Sequence, residues 1–435
     1  MLARFSKSTV FFWTLLLCAI LALAACGGGA EEPAAPADEE TTAGEETDAG
    51  EVSEPVEEEG EAGESEEAAA GEPIKVGAIF DLTGATSDVG TPYAEGVRDY
   101  VTWLNANGGI NGRPIELVSA DYGYTVDRAE QLYSQYTDQE NVVFFQGWGT
   151  GDTEALRGRI AEDEVPFMSA SYSATLGDPN EAPYNFMIGT TYSDQFIIAI
   201  QHAIESSEDG APTIALLHHD SPFGLSPLDD GRAYAEANGA EVVAIPMPAG
   251  ATDFTAELTQ VQDAGADYIV IQNVSSPAAT LAQDVDRLGL EAQVICLNWC
   301  TDELFVSLAG DAAEGVIGTS PFAFPGSDAP GLEQIGAYAE SQGKSVDELG
   351  VHYVQGWTTM AVMTEGMRRV VEEGNEVTGP NIRTALESME NYETGGITSP
   401  LTFSSSDHAG SKALRLYQVE NGAWVPITEY IEAGG

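Results

Sequence analysis

The chain has 435 residues, of which 71 are acidic and 16 basic, giving a formal net charge of −55. Such a polyanion meets repulsion at nucleic acid and at anionic lipid surfaces, so neither is a partner recruited by charge. The hydrophobic share of 43% and this length leave room for a substantial core in two or three domains.

The charge is unevenly placed. Residues 1–26 hold two basic and no acidic residues, with Arg4 and Lys7 ahead of an apolar run from Val10 to Leu23. This is the layout of a secretory signal. It ends in Leu23-Ala24-Ala25-Cys26, which resembles the lipobox of bacterial lipoproteins. Small residues there admit a peptidase and the Cys26 thiol receives the lipid; Cys18 follows Leu17 and lacks the small residue required. An extracytoplasmic protein anchored to the membrane through lipid on Cys26 is expected. Residues 27–72 carry 18 acidic and no basic residues among Gly, Ala, Thr, Ser and Pro. That composition cannot bury enough surface to offset ordering, and it predicts a disordered acidic tether. The remaining residues, 73–435, still hold 53 acidic against 14 basic, a charge of −39.

From Pro73 strands and helices alternate. Ile74–Phe80 is an apolar strand, followed by a polar turn and a helix with Thr91 as its cap and Pro92 in its first position. Strand 114–118, helix 127–138, strand 141–146, helix 152–163 and strand 166–169 complete a first series. A second runs through strand 213–218, helix 225–238, strand 241–245, helix 253–264, strand 268–271, helix 277–288 and strand 293–296. Apolar strands joined by helical crossovers predict parallel α/β sheets, and two series predict two similar lobes.

Ligands of open parallel sheets sit beyond the carboxyl ends of the strands. The loops concerned are 81–91, 121–126, 146–153, 169–175, 219–224, 272–277 and 297–303. They contain Gly147-Trp148-Gly149-Thr150-Gly151, Ser169-Ala170-Ser171-Tyr172-Ser173, Asp220-Ser221-Pro222-Phe223-Gly224 and Asn298-Trp299. Hydroxyls and free N–H groups suit a carboxylate or similar small anion, and the aromatics supply apolar walls. The 147–151 stretch lacks the third glycine of a dinucleotide fingerprint, which favours a carboxylate loop.

Catalysis has little support. His202, His218, His219, His352 and His408 lie in no nucleophile or zinc-protease motif, so neither an enzyme nor a cofactor is expected. His219, at a strand end facing the cleft, is either a ligand contact or a hydrogen-bonding residue. Cys296 and Cys300 flank one loop and are open to two readings, a disulfide or two free thiols. No metal set is expected, for want of further ligands at recognisable spacing.

The string from Asn105-Ala106-Asn107-Gly108-Gly109-Ile110-Asn111-Gly112-Arg113-Pro114 to Asp121 resembles the N-terminal signature of a known family. It is that of the substrate-binding proteins of branched-chain amino acid ABC importers, the leucine/isoleucine/valine-binding type of type I periplasmic binding protein. Thr252-Asp253-Phe254-Thr255 through Ala264-Gly265-Ala266-Asp267, and Gly189-Thr190-Thr191-Tyr192-Ser193-Asp194-Gln195, carry the likeness further. It spans about residues 74–430.

The resemblance implies an α/β protein of two Rossmann-like lobes with parallel sheets, joined by three crossovers and closing on a ligand in the cleft. One lobe would comprise 73–191 and 321–398, the other 192–320 and 399–435. Gly149 and Thr150, with Ser171 and Ser173, would hold the ligand's carboxylate; Phe223 would cover it, with Trp148, Tyr172 and Trp299 lining the pocket. Asn298 falls where relatives that bind α-amino acids place an acid for the ammonium. Asp302 and Glu303 lie just behind it, and Asp81, Asp121 and Asp220 are the other carboxylates that could serve. Amino acids, amides, ureas and aromatic or aliphatic carboxylates are therefore all open. A monomer delivering its ligand to an ABC permease is expected, with presentation to a chemoreceptor or kinase as the alternative.

Overall fold

The computed structural model describes residues 71–207 and 210–434; the signal, Cys26 and the tether up to residue 70 lie outside them. Strands β1 (Ile74–Phe80), β2 (Ile115–Asp121), β3 (Phe144–Gly147), β4 (Phe167–Ser169) and β5 (Asn185–Phe186) form a parallel sheet in the order β2-β1-β3-β4-β5. A second sheet follows the order β12-β11-β10-β9-β8-β6-β7. Its strands are β6 (Thr213–His219), β7 (Glu241–Met247), β8 (Tyr268–Gln272), β9 (Gln293–Cys296), β10 (Ile317–Ser320), β11 (Ala413–Glu420) and β12 (Ala423–Pro426), with β13 (Ile431–Glu432) pairing β11.

The run from β7 to β10 is parallel, whereas β11 and β12 add an antiparallel edge that the strand-helix rhythm of the sequence did not announce. Period-two alternation explains why these central strands read as unbroken apolar runs. Ala215, Leu217, Ile269 and Ile271 enter one core, and Ile214, Leu216, Tyr268 and Val270 enter another on the opposite face.

In the first lobe the helices Ser87–Ala106 and Gly350–Glu372 cross at glycines. A Cβ on Gly96 would stand 2.1 Å from the Tyr353 carbonyl oxygen, and one on Gly356 would stand 2.0 Å from that of Tyr93. The two backbones touch only because both side chains are absent.

Two details differ from the sequence reading. The first helix begins at Ser87, not at Pro92, which lies inside it. Asp81 causes this by accepting the N–H groups of Gly84 and Thr86 and the Thr86 hydroxyl, which starts the helix a turn early. Residues 401–410, assigned from the sequence to the second lobe, pack on the first core. Leu401, Phe403 and Ala409 are buried there, and Phe403 meets Phe186 edge-on. The chain passes between lobes near 187–192, 320–323 and 410–413; at the last, Thr190 and Ser411 hydroxyls both donate to the Ala413 carbonyl.

Candidate functional site

Each sheet has a switch point where strand order reverses: β1 lies between β2 and β3, and β6 between β7 and β8. Crevices open at such points beyond the strand ends. The loops after β1, β2, β3, β4, β6, β8 and β9 meet there and line a small cavity of about 20 Å³. The first lobe contributes Thr86, Val89, Tyr124, Trp148, Gly149, Thr150 and Ala170. Tyr192, Phe223, Val274 and Trp299 face them.

Trp148 is fixed by its indole N–H, which donates to the Thr86 hydroxyl at 2.9 Å, and by an edge contact with Tyr93. Thr86 Oγ1 itself donates to Asp81, so one loop positions the next. Gly149 precedes helix Thr150–Asp163, and its N–H donates to the Asp152 carboxylate. A Cβ at this position would sit 2.3 Å from Asp152 Oδ1 and 2.7 Å from the Tyr122 hydroxyl, so the loop needs glycine there. Burial raises the pKa of Asp152 to about 7, against the Tyr122 hydroxyl and the Gly149 N–H, which both donate to the carboxylate. Thr150 exchanges a 2.7 Å hydrogen bond with Ser171, and the two hydroxyls form one polar corner at the helix start.

Trp299 comes from the turn Asn298–Cys300 after β9. Its N–H donates to the Tyr192 hydroxyl at 2.8 Å. Its ring stacks on Tyr172 and on His352 and tilts against Trp148, with centroids 5.9, 5.1 and 5.2 Å away. A second-lobe residue thus sits inside a first-lobe aromatic box. Three polar contacts beside it also span the lobes: Asp302 to His352 at 2.9 Å, the Val351 N–H to Glu303 at 3.0 Å, and the Ser276 N–H to Asp88 at 2.9 Å. The cleft is closed.

Of the nine ligand-binding residues expected from the sequence, Trp148, Gly149, Thr150, Phe223 and Trp299 line the cavity. Ser171 and Tyr172 stand behind it, one bonded to Thr150 and the other stacked on Trp299. Ser173 does not take the expected place, because its hydroxyl donates to Glu154. Asn298 is buried outside the lining, its backbone N–H given to Gln195 and its side-chain amide without a partner among the described residues. His219 bonds Ser221 and packs against the edge of Tyr124, so it serves as a hydrogen-bonding residue. Cys296 and Cys300 are both free thiols; the Cys300 thiol turns to the carbonyls of Leu297 and Ile271, so the disulfide alternative is not realised.

Thr86, Val89, Tyr124, Ala170, Tyr192 and Val274 are lining residues that the sequence reading did not select. Five of them lie on the loops already marked by strand ends. Small and aliphatic side chains such as Val89, Ala170 and Val274 give no chemical signal beyond their loop positions, whereas Tyr124 is an aromatic on a marked loop and Tyr192 lies on the Gly189–Gln195 string that carries the family likeness.

Comparison with known proteins agrees with this architecture. Residues 73–423 match the periplasmic binding protein family. The leucine-, isoleucine-, valine-, threonine- and alanine-binding protein of Pseudomonas aeruginosa is 24% identical over 317 residues, 72% of this chain and 83% of the relative. A branched chain amino acid ABC transporter structure from Thermus thermophilus with bound valine aligns with a TM-score of 0.80 and 28% identity, over 83% of this chain and 97% of that one. An ABC transporter substrate binding protein from Aeropyrum pernix aligns with a TM-score of 0.76 and 29% identity, over 83% and 96%. With two parallel-sheet lobes, a cleft at both switch points and a match over most of its length, the chain belongs to the periplasmic binding protein family.

Proposed function

We propose that this protein is the extracytoplasmic, lipid-anchored solute-binding component of an ABC importer. It captures an amino acid or a related small carboxylate or amide and closes two lobes over it. The observation that carries the reading is the interlobe cavity itself. It has a polar corner at Thr150, where a hydroxyl braced from behind by Ser171 stands at a helix start, and aromatic walls elsewhere. A small anion suits that corner, and exclusion of water by the rings strengthens each hydrogen bond it makes. The ligand acts by binding the closed form better than the open one, which shifts the population towards closure. Chemistry on the solute is not part of this reading.

The test is calorimetry with leucine, isoleucine, valine, their amides and benzoate-like acids. Thr150→Val removes the lining hydroxyl, and Ser171→Ala removes the hydroxyl that holds it from behind. A hydrogen bond to a charged group is worth about 1.5–3 kcal/mol, so each variant weakens the bound solute about 10- to 100-fold. Unchanged affinity in both would refute the site.

A further inference from the structure

The cavity offers a carboxylate a place but offers an ammonium group no anion. Among the described residues, no acidic side chain lines it. The nearby carboxylates are occupied in building the loops. Asp81 accepts from Gly84 and Thr86, and Asp121 accepts the N–H groups of Leu82 and Gly123 and the Thr83 hydroxyl. Asp152 lies behind Gly149, bonded to its N–H and to the Tyr122 hydroxyl. Asp302 accepts from Ser275, the Phe305 N–H and His352, and Asp88 accepts the Ser276 N–H. Asp220 is exposed.

Away from Thr150, the cavity meets the rings of Tyr124, Trp148, Phe223 and Trp299 and the aliphatic Val89 and Val274. Two polar groups on these walls are already engaged: the Trp148 N–H by Thr86, and the Trp299 N–H by Tyr192. A primary ammonium placed here would lose its hydration and gain no carboxylate, which is a large penalty in a closed apolar site. An uncharged hydrocarbon end meets no such penalty and gains by burial against the rings.

We infer that the solute is a small carboxylate whose far end is an uncharged apolar body, without an α-ammonium group. This rests on reading the cleft as a solute-binding site and narrows the class of solute it takes.

The test needs no variant. The purified native protein is titrated by calorimetry with matched pairs: isovalerate against valine, and 4-methylpentanoate against leucine, with glycine betaine as a third arm. The expected result is that each deaminated acid binds at least about tenfold more tightly than its amino acid, the cost of an unpaired buried charge. Valine or leucine binding as tightly as its deaminated partner would overturn the inference and leave the solute-binding reading intact. Tighter binding of the trimethylammonium compound than of isovalerate would overturn it too, because the rings would then be holding a cation. Binding by none of these would count against both the inference and the reading beneath it.

Discussion

Trp299 does more than fill space, because one indole from the second lobe meets Tyr93, Trp148, Tyr172 and His352 and donates to Tyr192. Trp299→Ala should lower stability by about 3–5 kcal/mol, as large-to-small changes of a buried aromatic do. It should also weaken solute binding, since the box that excludes water is then open; thermal unfolding and calorimetry read the two effects. A loss of stability with full retention of affinity would mean that Trp299 is core and not a wall of the site. The residue was legible in the sequence as an aromatic on a strand-end loop, but its partners were not. Tyr93 and His352 lie on helices far apart in sequence, and only the crossing of those helices brings them to one ring. Ser173 shows the opposite limit. The family resemblance put it at the ligand's carboxylate, yet its hydroxyl donates to Glu154 on helix Thr150–Asp163.

At the scale of elements, helix Gly350–Glu372 links the core of the first lobe to the cleft. Its contact with helix Ser87–Ala106 depends on Gly96 and Gly356, so Gly356→Ala should force the two apart and cost about 1–3 kcal/mol, seen as a lower Tm. The first turn of the same helix carries His352, which faces Asp302, Gln355, Glu303 and the Trp299 ring. Burial disfavours the charged imidazole, but hydrogen bonding and charge from Asp302, together with Gln355, outweigh it and raise the pKa above 6.5. A folded-state pKa raised in this way adds stability that is fully present below 6.5 and is lost as pH rises through the higher folded value. Asp302→Asn keeps a capping oxygen for the Phe305 N–H but leaves His352 without its anion. It should cost about 3–5 kcal/mol near pH 6 and flatten the fall in Tm at alkaline pH. An unaltered pH profile would rule out the pair as its source. Strands and helices of the two series were legible to within a few residues because apolar runs and helix caps are local signals. The antiparallel edge β11–β12 was not, since its place is set by pairing with β10 nearly a hundred residues earlier.

Across the whole molecule, 18 of the negative charges belong to residues 27–72 and a charge of −39 remains on 73–435. Self-repulsion of that size opposes compactness, and salt shortens its reach from about 30 Å at 0.01 M to about 3 Å at 1 M. Thermal stability should therefore rise by several degrees over that range; an unchanged Tm would mean that self-repulsion does not limit stability. The anion recognition proposed above does not conflict with this acidity, because the Thr150 and Ser171 hydroxyls and the helix start lie locally inside a closed cleft. The most direct measurement is a crystal structure of the protein grown with saturating isovalerate. The account predicts the carboxylate within hydrogen-bond reach of Thr150 at the start of its helix and the branched end against Phe223 and Trp299. A ligand bound outside the cleft, or one whose carboxylate faces the rings, would contradict it.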